Sequence, residues 1–61
     1  MGIEEIQPDQ TWRLINIPNR PDVVVKNVNK YNGAVYWHYV EEKQINESEV
    51  NYFLKTFKRI S

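Results

Sequence analysis

His38 is the single imidazole of this 61-residue chain, and there is no cysteine. Hydroxyl-based nucleophilic catalysis would need Ser48 or Ser61 beside His38, with Asp9 or Asp22 orienting the ring from behind. Ser61 is the last residue and is expected to fray. Ser48 reads more simply as a helix cap or turn residue. His38 sits between Trp37 and Tyr39 on an alternating segment, so it points away from both, and a half-exposed strand histidine is the plainer reading. The carboxylate pairs Glu4–Glu5 and Glu41–Glu42 are adjacent in sequence. On strands such neighbours face opposite ways and cannot share a proton. One imidazole among scattered carboxylates has no zinc-type spacing, and no EF-hand loop is present. Gly2 and Gly33 are the only glycines, so no phosphate-cradling loop exists. The residues point to no catalytic set, no metal and no cofactor.

Composition narrows the class further. Eight Lys and Arg balance eight Asp and Glu, and the formal net charge is zero. A balanced chain gains little from counterion release on nucleic acid unless its charges segregate. Without cysteine, neither a disulfide mini-protein nor a Cys-ligated zinc domain is possible. No apolar run is long enough to span a bilayer. The segment 1–10 carries Glu4, Glu5 and Asp9 and no apolar stretch of the signal-peptide kind. A soluble, cytoplasmic, single domain is expected. Two Trp, four Tyr and two Phe argue against disorder. A chain of this size has a thin stability margin, so its large side chains belong inside, or it associates with a copy or a partner.

The elements that must position these residues follow from periodicity. Segment 1–10, polar and holding Pro8, is expected to be a loosely held, flexible arm, with residues 11–61 forming one domain. Thr11 to Ile17 alternates as a strand with Trp12 and Leu14 on one side. Pro18 to Asp22 is punctuation, because two prolines remove two amide donors. Val23 to Tyr31 and Ala34 to Glu41 are rich in β-branched and aromatic residues. Asn32-Gly33 between them suits a two-residue type I′ turn, which would pair Tyr31 with Ala34, Val28 with Trp37 and Lys26 with Tyr39. Strict alternation would then turn Lys26 inward and Val23 and Val25 outward. One extra residue near Lys26 or Asn27, a β-bulge, brings Val23, Val25 and Val28 to a common side. A short strand carrying Ile45 is the expected exit from the hairpin. Val50, Phe53, Leu54 and Phe57 share a helical face, capped by Asn46 or Ser48. The tail is either a full helix over 48–57 or a turn near 48–54 followed by a closing strand from Lys55 to Ile60.

This order resembles small SH3-like barrel proteins carried by phages or prophages. The residues that carry the resemblance are Trp12 opening a strand, Val23-x-Val25-x-x-Val28, Val35-x-Trp37, Ile45, and Phe53-Leu54-x-x-Phe57-x-x-Ile60. It covers residues 11 to 60 and implies a small SH3-like barrel with a short helix or helical turn near residues 48–54. It also implies a mobile-element origin. The first loop departs from the pattern, with Pro18 to Pro21 where such barrels often have glycine. Such barrels host unrelated functions, so the resemblance carries no activity.

Two binding expectations follow. The first is a protein-binding surface using Tyr31, Tyr36, His38 and Tyr52, with Tyr39 as a further surface tyrosine, because such rings bury area at low entropic cost. Open sheet edges also make a homodimer an expectation. The second is nucleic acid, since SH3-like barrels related to Tudor and KOW modules can bind it. Its candidates are Lys26, Lys30, Lys55, Lys58 and Arg59, with Tyr31 or Tyr36 for stacking. Trp12 and Trp37 are assigned to the core.

Overall fold

The computed structural model describes residues 2–17 and 19–61; Pro18, read above as part of the loop punctuation, and Met1 lie outside the described residues. Five strands form one antiparallel sheet: β1 (Thr11–Leu14), β2 (Val23–Asn29), β3 (Ala34–Tyr39), β4 (Asn46–Glu49) and β5 (Phe57–Arg59). An α-helix, α1 (Val50–Thr56), lies between β4 and β5, and a 3-10 turn spans Ile3–Glu5. The order across the sheet is β4-β3-β2-β1-β5. The sheet curls into a half barrel around α1, and the fold is mainly β, that of a small SH3-like barrel.

The bulge lies where side-chain alternation requires it. Val25 pairs with Trp37 and Asn27 with Tyr36, leaving Lys26 as the extra residue on β2. Lys26 is exposed, whereas Val23 and Val25 are fully buried and Val28 packs against the same core. Without the insertion, the two buried valines and Val28 would need opposite faces.

The turn corrects the expected register. Asn29 pairs with Ala34 and Val28 with Val35, so the connection has four residues, 30–33, instead of two. Gly33 has φ of 66°, but Asn32 is not in the left-handed region. A type I′ turn needs both there. Asparagine side chains shape the longer loop: Asn29 Oδ1 accepts from the Tyr31 N–H at 2.9 Å and Asn32 Oδ1 from the Ala34 N–H at 3.1 Å.

In the tail, a short helix is followed by a closing strand as in the second alternative, but the helix runs on through Lys55 and Thr56 and the strand covers only Phe57–Arg59 instead of Lys55 to Ile60. α1 has seven residues, and Phe57 leaves it in extended conformation while its N–H still donates to the Phe53 carbonyl. Thr56 Oγ1 donates back to the Tyr52 carbonyl at 2.7 Å, a local bond that competes with helix continuation. The cap is neither Asn46 nor Ser48, both of which belong to β4; Glu49 accepts from the Asn51 and Tyr52 N–H groups. Ile45 lies outside any strand and is half exposed.

The core is a chain of rings. Trp12 meets Phe53 edge-on at 5.1 Å, Phe53 stacks on Phe57 at 4.6 Å, and Phe57 meets Trp37 at 5.2 Å. Tyr39 continues the chain, edge-on to Trp37 at 5.2 Å, so it packs on the core instead of serving as a free surface tyrosine. The N-terminal segment also departs from expectation. Ile6 is buried in this cluster, and the Asp9 N–H donates to the Val25 carbonyl at 2.8 Å. Gln10 accepts from the Val25 N–H at 3.0 Å, so the segment is docked to β2.

Candidate functional site

The hairpin end collects two of the four tyrosine and histidine candidates. Tyr36 lies on the sheet face opposite Val35 and Trp37, and its cross-strand neighbours are Asn27 on β2 and Glu47 on β4. Tyr31 projects from the 30–33 loop with a relative exposure of 103%, so no described residue shields it. Together with Asn27, Val28, Asn29 and Lys30, the two tyrosines line a shallow hollow of about 470 Å³. The loop and the end of β2 that enters it are held by asparagine side chains. Besides the Asn29 and Asn32 bonds, Asn27 Oδ1 accepts from the Val28 N–H at 2.9 Å. The amide oxygens are therefore spent on shaping the backbone. The two phenols and the Lys30 ammonium remain available for contact: apolar ring faces with a hydroxyl at each tip, and one cation.

His38 shares the outer face with Tyr36 two residues away, paired with Val24. Its Nδ1 is 2.7 Å from the Tyr39 carbonyl oxygen, which can only accept, so Nδ1 carries the proton. Ser48 is engaged elsewhere, its Oγ accepting from the Trp37 indole N–H at 3.0 Å. Asp22 is bound to Arg13. Ser48 and Asp22 thus bond to Trp37 and Arg13, and His38 Nδ1 bonds to neither of them. Tyr52, 61% exposed, stands on α1, and among the described residues no ring pair links it to Tyr31 or Tyr36.

The five cations of the nucleic-acid expectation are dispersed. Lys26 is the bulge residue of β2, Lys30 belongs to the hairpin loop and Lys55 to α1. Lys58 and Arg59 are adjacent on β5 and so face opposite sides. Lys30, Lys58 and Arg59 each line a different hollow, and that of Arg59 is shared with Glu4 and Glu5.

Two residues that the sequence did not single out accompany Lys58: Arg13 and Arg20. Alternation with Trp12 and Leu14 already turns Arg13 outward, and that signal was there to read. The position of Arg20 depends on the path of the loop, for which the sequence offers no periodicity. Asp22 raises the Arg13 guanidinium above its ordinary range, first through the side-chain hydrogen bond and then through charge. Among the described residues no helix is long and apolar enough to cross a membrane, and no group of His, Asp or Glu is arranged to hold a metal. Compared with known proteins, the chain matches no family model, no curated protein and no solved structure.

Proposed function

We propose that this chain is a non-enzymatic interaction module that binds a protein partner through the end of the β2–β3 hairpin. The observation that carries this reading is the fully exposed ring of Tyr31 beside Tyr36 in one hollow. In a domain this small, a free aromatic ring contributes nothing to the core, while at an interface a tyrosine buries much area for few frozen rotors. The asparagine bonds that hold the loop reduce the ordering cost of binding. His38 and Val40 extend the same face along β3 and past its end. The resemblance of the apolar pattern supports a phage or prophage accessory role, which the genomic neighbourhood of the coding sequence would test. Nucleic acid is the less favoured partner, because its five candidate cations lie on different elements and faces and the net charge is zero.

The test is capture from the source cell with crosslinking, comparing the wild type with Tyr31→Ser. A protein that withstands nuclease treatment, is enriched by the wild type and is lost with the variant at unchanged Tm supports the proposal. Recovery of nuclease-sensitive material alone, or an identical set of captured proteins with Tyr31→Ser, rejects it.

A further inference from the structure

At the other end of β2 a second hollow, of about 400 Å³, is lined by Arg13, Arg20, Lys58 and Asp22 with apolar walls from Leu14, Ile15 and Pro21. Its cations are set against one another. Arg13 and Lys58 are direct cross-strand partners on β1 and β5. The ladder bonds on either side run from the Ile15 N–H to the Thr56 carbonyl and from the Ile60 N–H to the Thr11 carbonyl, both 3.0 Å. By alternation Arg13 and Lys58 form a hydrogen-bonded pair, with Cα atoms about 5.5 Å apart and side chains on one face. Like charges directly opposite one another disfavour a sheet.

One carboxylate answers this charge. Asp22 takes Arg13 in a fork, Nε to Oδ1 at 2.9 Å and Nη2 to Oδ2 at 3.4 Å, and its backbone is fixed by the Val40 N–H at 2.9 Å. Lys58 has no carboxylate partner among the described residues. Arg20 has none either: its guanidinium lies 5.6 Å from the centre of the Tyr39 ring and Nη2 donates to Tyr39 Oη at 3.4 Å. Two uncompensated cations therefore flank an apolar wall whose Ile15 is 47% exposed.

We infer that this hollow is a second binding site, for an acidic peptide segment in which an apolar side chain is flanked by carboxylates. The apolar residue seats on Leu14, Ile15 and Pro21, and the carboxylates reach Lys58 and Arg20. A nucleic-acid strand fits less well. Among the described residues no aromatic ring lines the hollow, the neighbouring Tyr39 ring is already covered by Arg20, and the Asp22 carboxylate repels a continuous phosphate track. The inference relies on the protein-binding reading for the class of ligand but not for the site, which lies about 20 Å from the tyrosine hollow along the seven residues of β2.

The experiment is a ¹H–¹⁵N titration of the full chain with the blocked peptide Glu-Glu-Ile-Glu-Glu. Parallel titrations use its Lys-for-Glu counterpart, inorganic phosphate and a short oligothymidylate. The acidic peptide is expected to move the amides of residues 13–15, 20–22 and 57–59 together, with an affinity that falls as salt is added. Lys58→Glu should weaken it roughly tenfold while melting at or above the wild-type temperature, because the opposed cations are relieved. Arg20→Gln is the second variant, used if Lys58→Glu does not fold. Tyr31→Ser should leave peptide affinity unchanged, which separates failure here from failure of the hairpin reading. Absence of peptide-induced shifts at these residues, equal binding by Lys58→Glu or its substitute, or stronger shifts with oligothymidylate or phosphate would overturn the assignment.

Discussion

The indole N–H of Trp37 donates to Ser48 Oγ at 3.0 Å across the β3–β4 ladder, so the ring that meets Phe57 in the core also has its one polar atom satisfied. Trp37 and Ser48 are not direct cross-strand partners; Trp37 pairs with Asn46 and Ser48 with Val35. The bond therefore runs diagonally and ties the short β4 to the core. Its strength shows in what each deletion would cost.

Trp37→Ala should remove most of the domain's stability. Loss of a buried tryptophan costs about 3–5 kcal/mol. A domain of this size has a total stability of roughly 3–9 kcal/mol. Ser48→Ala should fold but lose about 1–3 kcal/mol, because the indole N–H stays in place without its acceptor. Urea denaturation followed by tryptophan fluorescence reads both. Full stability of Ser48→Ala would mean that water replaces the hydroxyl.

Gly33 separates conformational cost from steric cost. A Cβ there would meet only Val50 Cγ1 at 3.5 Å, an ordinary contact, but the backbone is at φ of 66°. The penalty is therefore one of backbone preference. Gly33→Val should lose about 1–3 kcal/mol, and Gly33→Asn distinctly less, since asparagine tolerates the left-handed region. Equal losses for the two would point to crowding against Val50 instead.

What was legible in the sequence follows a physical division. Val23, Val25, Val28, Val35 and Trp37 announce their faces because a strand has period two, and the conflict at Lys26 locates the bulge. The closing strand could not be separated from a helix, since Val50, Phe53 and Leu54 bury the same side chains in either case. The turn departs from type I′ because Asn32 acts through its side chain, accepting from the Ala34 N–H, and not through a left-handed backbone. Of the candidate site, exposed tyrosines could be listed, but only the register brings Tyr31 and Tyr36 together. The hollow around Arg13, Arg20 and Lys58 joins β1, the 15–22 loop and β5, three segments with no periodic relation in sequence.

The bulge predicts an asymmetry between changing Lys26 and removing it. Its side chain is exposed and its stability role is to occupy one position of backbone. Lys26→Ala should stay within about 0.5 kcal/mol of the wild type. Deletion of Lys26 should unfold the domain, because Val23 and Val25 can no longer share the face of Val28. Dispersion of the amide spectrum distinguishes the two outcomes. A folded deletion variant would show that the 15–22 loop can absorb the one-residue shift.

Ile6 tests whether the N-terminal segment belongs to the domain. Its side chain is buried in the core cluster, and its chain is tied to β2 through Asp9 and Gln10 on either side of Val25. Pro8 and Asp9 turn the chain toward β1, with Asp9 at φ of 72°, a conformation that asparagine and aspartate adopt more readily than most residues. Ile6→Ala should cost about 2–5 kcal/mol through lost burial and the void it leaves. Truncation of residues 1–8 should cost at least as much and also lower the denaturant m-value, because less apolar surface is hidden in the folded state. Asp9→Gly should be nearly neutral, since glycine accepts the same φ. Equal midpoints and m-values for the truncated and full chains would show that β2 keeps its core contacts without the segment, and Trp12 would then close the end of the barrel alone.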